Sequence, residues 1–246
     1  MRIFYHIGRY TLFVKKVFGR PEKHSIFVKQ VIKEIDKLGI DSLGIVFIIS
    51  IFMGAVITLQ TAYNLESPLI PRYTIGLAAR DSMLLEFSST IVGLILAGKV
   101  GSNIASEIGT MRVTEQIDAL EIMGINPAGY LVLPKVVAFI FIIPFLVIIS
   151  MGVGITGGFL AGSLSGEVPA PDYIYGIQYA FIPFYVVYSL IKGVVFAFVI
   201  TTVSAYWGYY AEGGALEVGK ASTTAVVTSS VQILLFNLLL TQLLLA

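Results

Sequence analysis

The sequence predicts an all-α integral membrane protein with an interfacial amphipathic helix at its N-terminus, five transmembrane helices, and a short helix between the second and third of these. Composition is the first observation: 57% of the 246 residues are hydrophobic, 13% are charged, and the mean hydropathy is +0.88. These values lie outside the range of soluble proteins. The second observation is that five apolar stretches can each cross a hydrocarbon core about 30 Å thick at about 1.5 Å per residue.

Composition also excludes several classes of function. The absence of cysteine rules out disulfides, thiolate metal sites and cysteine nucleophiles in this chain. The two histidines, His6 and His24, both lie near the N-terminus, which argues against a histidine metal site or a catalytic triad. A net charge of +1 without a basic, aromatic-rich cluster indicates no nucleic-acid partner. The sequence therefore predicts no catalytic residue and no metal site, and its polar residues must act by binding and positioning.

Residues 1–41 are predicted to form a cytoplasmic or interfacial N-terminal region. They hold nine of the sixteen Lys and Arg residues and lack the uninterrupted apolar core of a signal peptide. Clustered positive charge before the first span places this end in the cytoplasm. Two opposed faces indicate a helix lying in the membrane interface, although a soluble helix packed on a partner has the same pattern. The apolar face holds Phe27, Val31, Ile35 and Leu38, and the basic face holds Lys29, Lys33 and Lys37.

Residues 42–246 are predicted to form one membrane domain. Its spans are predicted at about 43–63, 83–109, 136–161, 182–205 and 222–244. Because five crossings are odd, the C-terminus is expected on the side opposite to the cytoplasmic N-terminus, in the periplasm. The loop before the second span, with Arg72, Arg80 and Asp81, is expected on the outer side.

The second span carries a stripe of small residues that allows another backbone to approach closely. Its members recur at every fourth position: Gly93, Ala97, Gly101, Ala105 and Gly109. Lys99, Asn103 and Glu107 share this spacing on a neighbouring face, where contact with lipid would be costly. This polar face is therefore expected to meet protein or water.

Two charged residues lie within predicted spans. Glu86 lies just inside the outer end of the second span, where it is either a functional group or an interfacial residue that reaches water. Lys192 lies a third to half of the way through the fourth span. A lysine there either faces a partner, a cavity or an anionic group, or extends part of the way to water. The sequence favours the first interpretation for Lys192.

A short acidic helix is predicted directly after the second span, over about residues 113–124, between Gly109 and Asn126-Pro127. Ile117, Leu120 and Met123 are expected on one face, and Glu115, Asp118 and Glu121 on another. A helix of about ten residues is marginal alone in water, so it is expected to dock on a surface. The residues alone leave open whether that surface belongs to a partner or to the same chain.

Two stretches approach nucleotide-binding motifs, and both are rejected. Residues 152–157 match the spacing GxGxxG but lie inside a membrane helix, without the preceding strand that a dinucleotide site needs. Residues 213–221 resemble a phosphate-binding loop, but Ala221 stands where a Ser or Thr would meet magnesium. The chain has no visible nucleotide site of its own.

Several of these segments resemble the MlaE/YrbE family of permease subunits, the membrane half of ABC transporters that move lipids. Lys192, preceded by Leu190 and Ile191, looks like the intramembrane lysine of that family. The other matching segments are Ala97-Gly98-Lys99-Val100-Gly101, the run from Glu107 to Leu120 with Asn126-Pro127 behind it, and Gly213-Gly214-Ala215 with the run from Val218 to Val227.

The resemblance implies a permease that works as a homodimer around a lipid cavity in the bacterial inner membrane. It implies two further partners: a cytoplasmic ABC ATPase, which would hold ATP and magnesium, and an outer-side MCE-domain protein that exchanges phospholipid with the permease. Residues 113–124 would be the coupling helix that docks on the ATPase, through Glu115, Gln116, Ile117, Asp118, Leu120 and Glu121. Glu86, Lys99, Asn103 and Lys192 would be candidates for the substrate cavity.

An ion-coupled secondary carrier that uses Glu86 and Lys192 is the alternative from another functional class. Such carriers are usually built from two related halves with broken helices in matching positions, and this sequence shows no internal repeat. A purely architectural membrane scaffold would explain neither charged residue well.

Overall fold

The structure, a computed structural model, describes residues 2–19, 24–65 and 70–245. Arg20 and Lys23, two of the N-terminal cations, lie outside these ranges. The chain is 89% helical, and its described part contains no strand. Within these ranges, five helical runs are long and apolar enough to cross a membrane, which confirms the predicted all-α membrane fold. They are Ser25–Asn64, Tyr73–Val113, Pro127–Ser165, Phe184–Tyr209 and Ala215–Leu245.

The first two of these runs are interrupted by non-α turns. Ile35–Gly39, Met83–Ile91 and Ala97–Gly101 are π-helical, and Ile40–Ser42 is 3₁₀-helical. The α-helices of the described ranges are α1 (Arg2–Val17), α2 (His24–Glu34), α3 (Leu43–Asn64), α4 (Tyr73–Ser82), α5 (Val92–Leu96), α6 (Ser102–Val113), α7 (Gln116–Ile122), α8 (Pro127–Ser165), α9 (Ala170–Gln178), α10 (Phe184–Tyr209) and α11 (Ala215–Leu245).

The second half of the predicted outer loop before the second span is helical. Helix α4 begins at Tyr73 and buries Ile75 and Ala79, so the helical run starts well before residue 83. Arg80, expected in a loop, is 1% exposed. Its guanidinium donates to the carbonyl oxygens of Ile177 and Tyr179 at 2.7 and 2.8 Å and pairs with Asp81 at 2.8 Å. These partners offset the cost of burying the charge.

The N-terminal region contains two helices where one was predicted. Leu38 is buried, Phe27, Val31 and Ile35 are half-buried, and Lys29 and Lys33 are exposed, in keeping with the two predicted faces. Lys37, expected on the basic face, instead pairs with a carboxylate of α6. It lies in the π-helical turn of Ile35–Gly39, which departs from a 3.6-residue register.

The described chain divides into two compact units. The first unit comprises Met1–Ser42, Gly93–Ile143 and Val194–Ala246. Within it, α1 lies against the end of α10, where Phe13 and Val17 are fully buried. His6 Nδ1 is 2.9 Å from the Tyr206 hydroxyl, and the rings of Tyr206, Tyr209 and Tyr210 surround Phe13.

The small-residue stripe lies in the first unit and packs against α10 and α11 of the same chain. All five members are buried. A Cβ atom added at Gly101 would lie 2.8 Å from the Ser204 hydroxyl oxygen, and one added at Gly109 would lie 3.1 Å from Val218. This face of the second span is therefore filled by the chain's own helices.

The second unit comprises Leu43–Val92 and Pro144–Gly193. Its core is a close backbone contact between α3 and α8, made possible by glycines on both helices. A Cβ atom at Gly54 would overlap the carbonyl oxygen of Gly154, and one at Gly157 would lie 2.9 Å from the Cα atom of Ile51. The rejected GxGxxG stretch is therefore part of helix α8 and contributes to helix packing.

Candidate functional site

The segment between the second and third spans reverses the chain through two turns. We call residues 110–130 the elbow: the end of α6, helix α7 and the start of α8. Glu115 has φ of 61° and Gly124 has φ of 78°, and these left-handed residues bound α7 on both sides. Helix α7 is consequently seven residues long, shorter than the segment that the sequence suggested. Pro127 opens α8, where its missing N–H costs no hydrogen bond.

Three of the six predicted docking residues hold α7 against its own chain. Ile117 is fully buried. Asp118 forms an ion pair of 2.5 Å with Arg112 of α6. Glu121 accepts a hydrogen bond of 3.0 Å from the Tyr209 hydroxyl of α10. The helix is thus fastened to α6 and α10, so a displacement of α7 would pull on both.

The other three predicted residues are more accessible. Glu115 and Gln116 are exposed at the start of α7, and Leu120 is half-buried. These positions are available to a docking surface, although Gln116 also donates to the Thr114 hydroxyl at 3.0 Å.

The sequence interpretation missed an exposed apolar tip on the elbow. Ile122 is 88% exposed and Met123 is 65% exposed. Met123 was expected on the same face as Ile117, which is wrong because α7 ends at Ile122 and the helical period does not extend further. Adjacent large apolar side chains at such exposure are typical of a binding surface. Their place directly before Gly124 was the signal that could have indicated the end of the helix.

A cavity of about 360 Å³ opens beside this tip, between the elbow and the ends of α1 and α10. The Asn126 side-chain amide donates to the Lys16 carbonyl oxygen at 2.8 Å and closes one side. The lining comprises Lys16, Glu121, Gly124, Ile125, Asn126, Pro127 and Tyr209.

The second unit contains the charged pair of the candidate substrate residues. Lys192 Nζ lies 3.1 Å from Glu86 Oε2, and the Lys192 side chain is fully buried while 40% of the Glu86 side chain is exposed. Lys192 also donates to the Leu85 carbonyl oxygen at 3.0 Å and to the Tyr188 hydroxyl at 3.2 Å. Lys192 therefore does not extend to water, and the partner interpretation accounts for it.

The π-helical segment Met83–Ile91 explains how this pair is accommodated. Widened turns make backbone carbonyl oxygens accessible to side chains from a neighbouring helix. Ser189 and Lys192 of α10 donate to the carbonyls of Leu84 and Leu85. The side-chain oxygens of Ser88 and Ser89 are buried in the same segment without a hydrogen-bond partner in the described chain. The segment thus places a charge pair within a polar interior, with the Glu86 carboxylate at its accessible edge.

Lys99 and Asn103 belong to the first unit, and the structure gives them other surroundings. Lys99 donates to the Asp41 carbonyl oxygen. Asn103 is exposed. Of the four candidate residues, Glu86 and Lys192 are therefore the two that contact each other.

Comparison with known proteins identifies the family. The family described as Permease MlaE matches residues 31–243. A "Probable ABC transporter permease protein" of Rickettsia bellii is 37% identical over 99% of this chain and 93% of its own length. A protein of the same description from Synechocystis, slr1045, is 34% identical over 86% of this chain and 80% of its own.

A plant protein is also similar. "Protein TRIGALACTOSYLDIACYLGLYCEROL 1, chloroplastic" of Arabidopsis thaliana is 32% identical over 92% of this chain and 64% of its own length. The family match covers the elbow, the small-residue stripe and the Glu86–Lys192 pair alike. The chain is a multi-pass membrane protein that belongs to the MlaE permease family.

Proposed function

We propose that this chain is the permease subunit of an ABC transporter that moves phospholipid between the inner membrane and a periplasmic MCE-type carrier, driven by a separate ATPase. The observation that carries the proposal is the elbow. Helix α7 is fastened to α6 and α10, while Ile122 and Met123 remain exposed for a partner. A motor that binds this tip would move two membrane helices at once.

The division of labour follows from the chain's own chemistry. The relatives' names describe permeases of ABC transporters, and such permeases work with an ATPase subunit. The stretch that resembled a phosphate-binding loop forms a turn and the first turns of α11. In this proposal ATP and magnesium bind the partner ATPase, and the elbow transmits its movement to the membrane helices.

Phospholipid is the proposed substrate because the Glu86–Lys192 pair suits a charged headgroup. Lys192 would attract a lipid phosphate and Glu86 a cationic group, each at the expense of the existing ion pair. The Arabidopsis relative's name refers to a galactolipid, which supports the lipid class.

The working assembly is proposed to be a homodimer, with cytoplasmic N-termini and periplasmic C-termini. In an apolar 18-residue stretch of α11, 17% is buried, against 61% in α10. A span that leaves so much of its surface uncovered and carries Gln232 and Ser230 suits a helix–helix interface in the membrane. Nine cations in residues 1–41 support the orientation.

The test is transport by the purified complex in proteoliposomes. With the ATPase and ATP, labelled phospholipid should transfer to or from the MCE-type carrier, and it should not transfer with the permease alone. ATP-independent transfer driven by an ion gradient would overturn the proposal and support the secondary carrier.

Lys192→Met is expected to reduce the phospholipid recovered with the purified complex at least about fivefold, because it removes the cation proposed to attract the lipid phosphate. Thermal stability should also fall, although by less than the roughly 3–5 kcal/mol lost when a fully buried ion pair is broken, because 40% of the Glu86 side chain is exposed. The double variant Glu86→Gln with Lys192→Met removes both charges and should restore stability but not lipid. Lipid content would be measured by mass spectrometry.

Lys220→Met is the matched control. It breaks an exposed ion pair with Glu217, of a kind worth about 0–1 kcal/mol, and should change neither lipid content nor stability. Normal lipid content in both Lys192 variants would reduce the pair to a structural role.

A further inference from the structure

Four charged side chains form a network in the first unit, apart from the elbow tip and the Glu86–Lys192 pair. Lys135 Nζ lies 2.7 Å from Glu34 Oε1 and 2.9 Å from Glu107 Oε2. Lys37 Nζ lies 2.7 Å from the same Glu107 oxygen. The Lys135 side chain is 4% exposed and that of Glu34 is 14% exposed. Two lysines from different segments thus converge on one carboxylate oxygen.

The four residues come from the segments that flank the elbow and from the N-terminal region. Glu107 lies on α6, which leads into α7, and Lys135 lies on α8, which leaves it. Glu34 ends α2, and Lys37 lies in the π-helical turn that follows. The Glu107–Lys135 pair therefore joins α6 to α8, the two helices that we call the legs of the elbow. Glu34 and Lys37 connect both legs to residues 34–42, which we call the N-terminal segment.

Further contacts hold the same segment. Lys99 donates to the Asp41 carbonyl oxygen, and the backbone at Gly39 lies against the side chain of Ile142 on α8. The chain runs from this segment directly into α3, as one helical run from Ser25 to Asn64. A movement of residues 34–42 would therefore reach the first span.

We propose that Lys135 is a positioning residue that locks the N-terminal segment to both legs of the elbow, so that α2 and the start of the first span follow α7 when the motor moves it. The inference rests on the proposed function, since it assumes that an ATPase acts on the elbow.

The burial of Lys135 and Glu34 is what makes the network a lock, since Lys37 and Glu107 are each about a third exposed. An exposed ion pair exchanges readily with water, but separating Lys135 from Glu34 would leave charges unpaired in a largely buried site. Glu34 depends on Lys135 in particular, because its second carboxylate oxygen is buried without a hydrogen-bond partner in the described chain. The legs and the N-terminal segment are therefore held together more strongly than shape alone would hold them.

Lys135→Met in the complete transporter tests the proposal. The phospholipid moved per ATP hydrolysed should fall at least fivefold, while the amount of ATPase that copurifies stays within twofold of wild type. Lys135→Arg keeps the charge and should keep most of this ratio. Lys33→Met is the matched control: it removes an exposed cation of α2, next to Glu34, and should leave the ratio unchanged.

A distance measurement gives a second readout that does not depend on transport. The chain has no cysteine, so spin labels can be placed at Ile32→Cys on α2 and Val137→Cys on α8, both exposed. The distance between the labels should stay the same with and without a trapped ATP state in wild type. It should shift or broaden on trapping in Lys135→Met, because the N-terminal segment no longer follows α8.

Specific outcomes would overturn the lock. One is that Lys135→Met moves as much phospholipid per ATP hydrolysed as wild type and keeps the label distance unchanged. Another is that Lys135→Met and Lys135→Arg lose this transport ratio to the same extent. If Lys135→Met does not fold, Glu34→Gln with Lys135→Met removes both charges of one arm, and normal transport by that variant contradicts the lock. Absence of ATP-driven transport in wild type would instead contradict the proposed function, while the label distance still decides the lock.

Discussion

Gly54→Ala is expected to prevent normal packing of the second unit. A Cβ atom at this position would overlap the carbonyl oxygen of Gly154 and lie 2.5 Å from its carbonyl carbon. Both are backbone atoms, so the clash can be relieved only by separating α3 from α8. Overpacking of side chains costs about 1–3 kcal/mol, and a backbone clash should cost at least the upper value. The free energy of unfolding in detergent, measured by denaturant titration, should fall by about 3 kcal/mol or more.

Gly44→Ala is the matched control on the same helix. A Cβ atom at Gly44 would meet nothing within 4 Å. Because alanine favours a helix over glycine by about 0.5–1 kcal/mol, this variant should be neutral or slightly more stable. Equal stabilities of the two variants would show that α3 and α8 do not approach as closely as the structure has them.

Replacing Ile122 and Met123 with serine is expected to separate the permease from its ATPase. Burying each side chain on docking would contribute about 1.5–3 kcal/mol, and about 1.4 kcal/mol corresponds to a tenfold change in affinity. Losing both should therefore weaken binding at least about a hundredfold. Affinity would be measured with the purified subunits in detergent or nanodiscs.

Exposure makes this variant informative. Both side chains are largely exposed in the isolated chain, so the permease itself should keep its stability within about 0.5 kcal/mol. Leu216→Ser, at a position 74% exposed at the start of α11, serves as the control and should bind the ATPase normally. Unchanged affinity of the Ile122 and Met123 variant would remove the tip from the interface.

The number and type of the spans could be predicted from the sequence because the length of an apolar segment is a local property. The first residues of the helices were harder to predict. A charged residue such as Arg80 is usually found in a loop, and its burial in a helical run is explained by carbonyl partners that are distant in sequence, at Ile177 and Tyr179. The small-residue stripe could be identified from its spacing, but its partner depends on tertiary contacts such as that between Gly101 and Ser204.

The elbow and the Glu86–Lys192 pair also combine features that the sequence predicts with features that depend on tertiary structure. The acidic segment after the second span could be predicted from the sequence, but which of its side chains are buried and which are exposed could not. Glu115 adopts a left-handed conformation that shortens α7, and periodicity alone does not reveal it. Glu86 and Lys192 were identified separately from their depth in the membrane. Their direct contact is tertiary, and it is made within the π-helical turns of Met83–Ile91, which no local pattern in this sequence indicates.

Crosslinking at the tip of the elbow tests the central claim most directly. Because the chain has no cysteine, Ile122→Cys provides a single point for attaching a photo-crosslinker before the ATPase is added. Illumination of the assembled complex should give a permease–ATPase adduct from Ile122→Cys. It should give none from Phe52→Cys, which is exposed on the membrane helix α3. An assembled complex in which Ile122→Cys yields no adduct with the ATPase would contradict the account.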